Sequence, residues 1–254
     1  MRRKRQTKMA APLLLLAAIT MTACGSSEAD MTSVNDAGIG KEKKVSANVE
    51  HISLEWTAGE VVVQYDDVNE ITFVESSEQE IEQEWALTYT QEDKDLSISF
   101  CEEGGQGAKV PDKTLVITLP KEYAISQLDA NLVSADLTLP EGIQIQKMNL
   151  TTDSGDVTVA KDGEIGTLTS ESVSGNLSLN LTSLGKLTSD SVSADVTLSL
   201  PKDSGFVADT SSLGGEFQTD FETKQKDMAY YCGDRSAKIT MTSISGDLTI
   251  ASES

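Results

Sequence analysis

The chain has 254 residues, of which 41 are acidic and 20 are basic, so its formal net charge at neutral pH is −21. A surface of this charge repels polyanions, which argues against nucleic acid and anionic lipid headgroups as partners. It attracts divalent cations and basic ligands such as cationic peptides, although acidity that only keeps the chain soluble would give the same balance.

The first 23 residues have the layout of a bacterial export signal. Five basic side chains lie within residues 2–8, an apolar run covers residues 13–19, and Met21-Thr22-Ala23 precedes Cys24. The apolar run is too short for a helix that spans a bilayer. Small residues before a cysteine resemble a lipobox, which implies lipidation of Cys24 and attachment to the outer face of the cytoplasmic membrane. The alternative is an ordinary secreted protein with an incidental cysteine.

Residues 24–44 are small, polar and charged, without an apolar period, and predict a flexible tether. Cleavage before Cys24 removes five basic residues and no acidic ones. The mature chain then carries 15 basic against 41 acidic side chains, a net charge of −26.

Residues 45–120 contain strand patterns without a fixed period. Apolar and polar residues alternate over 51–56, and AGEVVV follows at 58–63. Further strands are expected at 71–74, 86–90, 96–100 and 115–119. The glutamate- and glutamine-rich stretch 75–85 is compatible with one or two helical turns.

Residues 121–254 repeat one short pattern: an apolar strand, a small-residue turn, an acidic or amide residue and a second apolar strand. The polar residue recurs at steps of 20, 20, 19, 21 and 31: Asp136, Asp156, Asn176, Asp195, Glu216 and Asp247. A period in this range is typical of a solenoid, in which each unit buries its apolar face against its neighbours. An antiparallel sandwich of hairpins is the alternative.

Alignment of the repeats predicts three apolar ladders inside the coil. The first contains Leu137, Val157, Leu177, Val196, Phe217 and Leu248. The second contains Leu139, Val159, Leu179, Leu198 and Ile250, and the third contains Leu150, Leu168, Leu187, Val207 and either Ile239 or Met241. Glycine or alanine at each turn supplies conformational freedom or small bulk. The stretch 45–120 then predicts irregular first rungs with a protruding hairpin that caps the open end.

The step of 31 places an insertion at residues 222–238, before the final rung. Insertions of this kind form loops on one face and often carry function. Because aromatic residues anchor many interfaces, Tyr230 and Tyr231 of the insertion and Trp85 of the hairpin region form a predicted binding patch.

After lipidation of Cys24, two cysteines remain. Cys101 and Cys232 form a candidate disulfide between the hairpin region and the insertion, although two free thiols are also compatible with the sequence.

Candidate catalytic and metal-binding groups are few. His51 is the only histidine, and the acidic residues of the repeat are expected to stabilise turns, with a calcium-binding ladder as the alternative. Some β-helices degrade polysaccharides with paired carboxylates, but Arg235 is the only arginine of the mature chain, and we predict no catalytic site.

The SGDVTV-like turns, the early AGEVVV and the Thr118-Leu119-Pro120 stop resemble a bacterial family of unknown function whose members are labelled putative adhesins. The resemblance covers residues 45–250. It implies an all-β, right-handed, single-stranded parallel β-helix, often membrane-anchored and associated with cell-envelope stress, and transfers no site residues. We therefore expect a non-enzymatic surface lipoprotein that binds wall polymer, an envelope protein or a cationic peptide; a polysaccharide-active enzyme and a structural spacer are the alternatives.

Overall fold

The computed structural model describes residues 39–102 and 110–253. The predicted signal at 1–23, the lipidation site Cys24 and most of the predicted tether lie outside the described residues. The tether was predicted to reach residue 44, but strand β1 already begins at Lys43. No helix in the described part of the chain is long and apolar enough to cross a membrane.

The described residues form strands, joined by turns and one 3-10 turn at Gln83–Trp85. The first nine strands are β1 Lys43–Val45, β2 His51–Asp66, β3 Ile71–Ser76, β4 Thr88–Glu92, β5 Asp95–Ser99, β6 Lys113–Pro120, β7 Ala124–Leu139, β8 Gln144–Thr152 and β9 Val157–Ser172. The other eight are β10 Leu177–Ser191, β11 Val196–Leu200, β12 Phe206–Ser212, β13 Phe217–Thr219, β14 Lys224–Lys226, β15 Ala229–Cys232, β16 Ala237–Ser243 and β17 Leu248–Ser252.

Two parallel stacks build the molecule, one from the segments before each turn and one from the segments after it. The pre-turn stack runs in the order β5, β2, β7, β8, β9, β10, β16 and β12. The post-turn stack runs in the order β6, β2, β7, β9, β10, β11, β17 and β13. This arrangement confirms the predicted all-β solenoid and excludes the sandwich of hairpins.

The order of the rungs departs from the order of the sequence at both ends. The last rung of the chain, β16 and β17, lies between the rung of β10 and β11 and the rung of β12 and β13. At the other end, β2 lies between the later strands β5 and β6 on one side and β7 on the other. The final two rungs are therefore stacked in the reverse of their sequence order.

Antiparallel strands cover most of the exposed edges. At one end β4 pairs with β5, β3 pairs with β6, and β1 pairs with β3. At the other end β15 pairs with β12, and β14 pairs with β15. Among the described strands, the ones that keep an unpaired edge are short, with three to five residues each: β1, β4, β13 and β14. Short edge strands are poor templates for strands of other molecules, as the terminal units of a solenoid require.

The first two predicted ladders are confirmed. Leu137 pairs with Val157, and the pairing continues through Leu177, Val196 and Leu248 to Phe217. All of these except Phe217 are at most 2% exposed. Stacked aliphatic side chains of this kind supply most of the stabilising burial.

The third predicted ladder is wrong at two positions. Leu150 pairs with Ser170, and Val207 pairs with Lys238. The observed ladder instead contains Leu128, Met148, Leu168, Leu187, Ile239 and Ala208. Because the side chains of a strand alternate between its two faces, an alignment error of one residue at Val207 exchanges an inward for an outward residue.

The turn glycines are required for their small size. A Cβ atom on Gly155 would lie 1.8 Å from the carbonyl oxygen of Ala135, in the rung next to it. Gly246 meets the carbonyl oxygen of Ala194 in the same way, at 1.9 Å. Neither glycine has a positive φ, so the close approach of successive turns, rather than conformational freedom, excludes a side chain.

Candidate functional site

The polar residues that follow the turns form one continuous column, which we call the acidic column. In spatial order it consists of Asp136, Asp156, Asn176, Asp195, Asp247 and Glu216. From Asp136 to Asp247, the side-chain Oδ1 of each residue accepts a hydrogen bond from the backbone N–H of the next member. The five hydrogen bonds measure 2.7–2.9 Å.

The side-chain bonds alternate with backbone bonds that run in the opposite direction. The N–H of Leu137 donates to the carbonyl of Asp156, and the N–H of Val196 donates to the carbonyl of Asp247, each at 2.9 Å. Each corner of the solenoid is thus tied to its neighbour twice. The prediction that these carboxylates stabilise turns is supported by this geometry, since they accept the N–H groups that the turns leave unpaired.

The acidic column also fixes the direction of its carboxylates. Because one oxygen of each aspartate is held by the next rung, the side chains cannot rotate freely, and they recur at the strand spacing of about 4.8 Å. No group of three or more histidine, cysteine, aspartate or glutamate residues with the geometry of a metal site occurs in residues 39–102 and 110–253. Calcium binding by the column stays the alternative to a role in the turns.

The predicted patch of Trp85, Tyr230 and Tyr231 does not form. Trp85 ends the 3-10 turn beside β4, whereas both tyrosines lie in β15. Eight strand steps separate β5 from β15 in the pre-turn stack, which corresponds to about 38 Å. The insertion and the hairpin region therefore lie at opposite ends of the solenoid.

The aromatic residues of the insertion pack mainly against their own end of the stack. Tyr230 lies over Phe217 with ring centroids 4.1 Å apart, and Phe221 contacts Phe206 edge-on at 5.4 Å. The guanidinium of Arg235 lies 4.9 Å from the ring centroid of Tyr231. These contacts hold the β14–β15 hairpin against the terminal rung, so burial accounts for the aromatic residues without a ligand.

Trp85 belongs to the packing of the opposite end. Its carbonyl oxygen accepts a hydrogen bond of 2.6 Å from the Nζ of Lys113, a fully buried side chain. The same ammonium donates to the carboxylate of Glu75 at 2.8 Å and to the carbonyl of Phe100 at 2.5 Å. Burial lowers the pKa of Lys113, and the carboxylate of Glu75 opposes that shift.

The candidate disulfide between Cys101 and Cys232 does not form, and the alternative of two free thiols holds. Cys101 is buried just after β5 and Cys232 ends β15, so the distance of about 38 Å between these strands far exceeds the roughly 7 Å that a disulfide allows between Cα atoms. The Sγ of Cys232 donates to the carbonyl of Ser204 at 3.6 Å, and burial followed by the charge of Asp234 raises the pKa of this thiol.

His51 links three rungs through its ring nitrogens. Nδ1 lies 3.0 Å from the carboxylate of Asp95 on β5, and Nε2 lies 2.7 Å from that of Asp129 on β7. Asp129 also accepts hydrogen bonds from Gln127 and Asn149. The sequence signalled none of this network, because the partners lie 44 and 78 positions from His51.

A shallow groove of about 360 Å³ is lined by the beginnings of β7 and β8 and by the middle of β9 and of β10. Its polar walls come from Ser126, Gln144, Gln146, Glu164 and Ser183. No sequence motif distinguishes these residues, since they occupy ordinary outward positions of the repeat. Amide and hydroxyl groups of this kind form hydrogen bonds to uncharged polar ligands such as sugars.

Comparison with known proteins places this architecture in a family. Residues 49–179 and 141–251 each match the family model described as Toastrack DUF4097. A Clostridium sporogenes structure, named a putative cell adhesion protein, aligns with a TM-score of 0.53 at 18% identity over 84% of this chain and 98% of its own. A putative adhesin from Bacteroides fragilis aligns with a TM-score of 0.45 at 15% identity over 85% of this chain and 96% of its own.

At this identity the Clostridium sporogenes structure demonstrates a shared fold and does not transfer a function. Among curated proteins, no sequence matches the chain. The two family matches overlap at residues 141–179, as expected of a repeat that can be aligned with itself. Together they extend over both stacks of the solenoid, and the chain belongs to the Toastrack DUF4097 family.

Proposed function

We propose that the protein is a non-enzymatic lipoprotein, anchored through Cys24 to the outer face of the cytoplasmic membrane, whose acidic solenoid binds a cationic partner. The observation that carries the proposal is the acidic column, in which a hydrogen bond to the next rung holds each aspartate in place. Carboxylates that are already ordered lose little entropy when a cation binds to them, so the column is preorganised for a basic ligand.

The same geometry argues against catalysis by these carboxylates. General acid–base or nucleophilic chemistry needs a carboxyl group whose surroundings shift its proton affinity and leave it free to reach a substrate. In the acidic column one oxygen of each aspartate already accepts a backbone N–H, and His51 is held between Asp95 and Asp129. The proposal therefore assigns these groups to structure and recognition.

A cationic segment of an envelope protein or a cationic peptide fits this surface by charge. The mature chain carries a net charge of −26, and nucleic acid and anionic lipid headgroups would be repelled. Attachment by a lipid at Cys24 does not conflict with this charge, because the acyl chains enter the bilayer while the tether separates the solenoid from the headgroups.

A neutral wall polymer is a second candidate partner, favoured by the groove between Ser126 and Ser183. Its glutamine and serine side chains match the hydroxyl groups of a sugar chain. Replacement of Gln146 with alanine would weaken polymer binding without altering the acidic column. Equal binding of the polymer to the variant and to the unchanged protein would show that the groove is not the polymer-binding site.

The anchor is tested by labelling cells with a radioactive fatty acid and separating membrane from soluble fractions. We expect label and membrane retention for the unchanged protein and the loss of both for Cys24→Ser. The binding function is tested on the full mature chain in detergent, with a basic peptide, an acidic peptide and a neutral wall polymer as ligands. Binding to the basic peptide alone, weakened by salt, is expected; binding to none would contradict the proposal.

A further inference from the structure

A column of exposed aliphatic side chains occupies the corner of the solenoid just before each small-residue turn. Its members, in spatial order, are Val173, Val192, Ile244 and Leu213, with exposed fractions of 47%, 40%, 38% and 84%. We call these four residues the aliphatic stripe. Single exposed aliphatic residues are ordinary on proteins, but a contiguous row of them indicates a surface that binds another molecule.

Backbone hydrogen bonds show that the four residues belong to successive rungs. The N–H of Ser193 donates to the carbonyl of Val173 at 2.9 Å, and that of Ile244 donates to the carbonyl of Val192 at 3.1 Å. The N–H of Gly214 donates to the carbonyl of Ile244 at 2.9 Å. With one strand spacing between neighbours, the stripe is about 15 Å long.

Negative charge lies along both sides of the aliphatic stripe. The corner segments that contain it are ESVSGN at 171–176, DSVSAD at 190–195, TSISGD at 242–247 and SSLGGE at 211–216, and they hold five carboxylates and no basic residue. Glu171 and Asp190 precede the stripe, whereas Asp195, Asp247 and Glu216 follow it. A ligand that covers the stripe must therefore present apolar side chains between positive charges.

We infer that the aliphatic stripe is the docking surface for a cationic amphipathic helix, either a free peptide or a segment of an envelope protein. This inference rests on the proposed function and names the part of the solenoid that performs it. Charge decides between the occupants: a second copy of this chain would bring two acidic corners together, and an anionic membrane surface would be repelled. A helix with lysines on either side of an apolar face complements both the aliphatic stripe and the carboxylates that border it.

The spacing of the stripe also suits a helix. Residues three or four apart on one helix face are about 5–6 Å from each other, close to the strand spacing of about 4.8 Å along the stripe. A helix of roughly ten residues is about 15 Å long, which matches the four rungs. Successive apolar side chains on one helix face can therefore each contact one residue of the stripe, in the order Val173, Val192, Ile244 and Leu213.

The test uses the full mature chain in detergent and three fluorescent peptides of about 14 residues. The first peptide has a leucine face bordered by lysines, the second replaces its leucines with serines, and the third replaces its lysines with glutamates. We expect the first peptide to bind roughly tenfold more tightly than the second, which keeps the charges without the apolar face, and the third not to bind measurably. Equal binding of the first and second peptides would leave the proposed cationic recognition intact and would overturn the role of the aliphatic stripe.

Two variants separate the stripe from the charge beside it. Replacement of Val192 and Ile244 with threonine keeps their β-branched shape, and replacement of Leu213 with serine shortens an exposed side chain. All three substitutions remove apolar surface from the stripe. Asp195→Asn with Asp247→Asn removes two charges and keeps the acceptor atoms, as Asn176 already does in the same column. We expect each variant to bind the first peptide roughly tenfold more weakly, or worse.

Val133 is the matched control. It occupies the same repeat position and is 38% exposed, but Asp153 separates it from Val173, so it lies outside the stripe. Val133→Thr should leave the affinity unchanged, and a loss equal to that of the triple variant would overturn the inference. Dimerisation that the triple variant abolishes, or vesicle binding that the triple variant abolishes, would assign the stripe to a second copy or to lipid and would overturn it as well.

Discussion

Asp195 and Asp247 lie 52 positions apart in the sequence, and the side chain of Asp195 accepts a hydrogen bond of 2.9 Å from the backbone N–H of Asp247. The bond joins two rungs that are adjacent in space only because the last rung of the chain lies inside the stack. The acidic column thus continues without interruption across a break in the sequence order, and the corner beside the aliphatic stripe is a single surface.

Substitution of Asp195 should separate the structural role of the column from its charge. Asp195→Ala removes the acceptor for the N–H of Asp247 and should lower the free energy of unfolding by about 1 kcal/mol. Asp195→Asn keeps the acceptor and relieves repulsion between neighbouring carboxylates, so its stability should equal or exceed that of the unchanged protein. Urea unfolding measures both. Equal destabilisation by the two substitutions would show that the charge matters rather than the hydrogen bond.

Two buried serines should respond to alanine in opposite directions. Among the described residues, the hydroxyl of Ser170 is buried and has no hydrogen-bond partner, whereas that of Ser243 accepts the N–H of Gly246 at 2.8 Å. Ser170→Ala should raise the free energy of unfolding by about 1 kcal/mol, because an unsatisfied polar group leaves the core. Ser243→Ala should lower it by a similar amount. Thermal or urea unfolding checks the signs, and destabilisation by Ser170→Ala would contradict the prediction.

The pH dependence of stability should report on Asp129. Burial acts to raise the pKa of this carboxyl group, but hydrogen bonds from Asn149, Gln127 and His51 outweigh burial and lower the pKa below its usual value of 3.8. Since the folded state holds the proton less tightly than the unfolded state, the ionised group stabilises the fold above about pH 3.8. That contribution is lost as the pH falls through the lower, folded pKa.

Asp129→Asn removes this ionisation and keeps the shape of the side chain. The difference in unfolding free energy between the unchanged protein and the variant should be largest near neutral pH and should shrink below about pH 3.8. Denaturant unfolding at a series of pH values measures it. A difference that does not change with pH would mean that the hydrogen bonds of Asp129 do not depend on its charge.

The two remaining thiols should differ in reactivity. Cys232 is half-buried and should react slowly with a thiol reagent in the native protein, because its raised pKa leaves little thiolate at neutral pH. Cys101 is 1% exposed and should react only after unfolding. Thiol titration before and after denaturation checks both expectations. Protection of both cysteines in the unfolded, unreduced chain would indicate that they form a disulfide.

Much of the inner structure of a rung could be predicted from the sequence. The alternation of apolar and polar residues identified the strands, and the recurring turn placed Leu137, Val157 and Leu177 in one ladder. The third ladder was misaligned at Leu150 and Val207, because the connections before these strands differ in length and their serine- and threonine-rich neighbours offer no alternative landmark. The sequence therefore defined register only where the turn motif itself supplied it.

The candidate sites were predicted less well than the strands. The acidic column was recognised as a row of turn residues, but its hydrogen bonds to the next rung depend on distances that a sequence does not contain. Trp85 and Tyr230 were selected as exposed anchors on the general tendency of aromatic residues. Each instead packs at its own end of the solenoid, Trp85 against the core and Tyr230 against Phe217.

The sequence alone determined the repeating unit, because a strand pattern and a small-residue turn are local properties that each rung carries in its own residues. Only the tertiary structure decided which rungs are neighbours. All rungs present the same apolar ladders, so the ladder residues of β17 alone do not select its neighbours. In the structure β17 pairs with β11 on one side and with β13 on the other. Its position depends on how the insertion at 222–238 folds back and covers the end of the stack, which is a property of the whole chain.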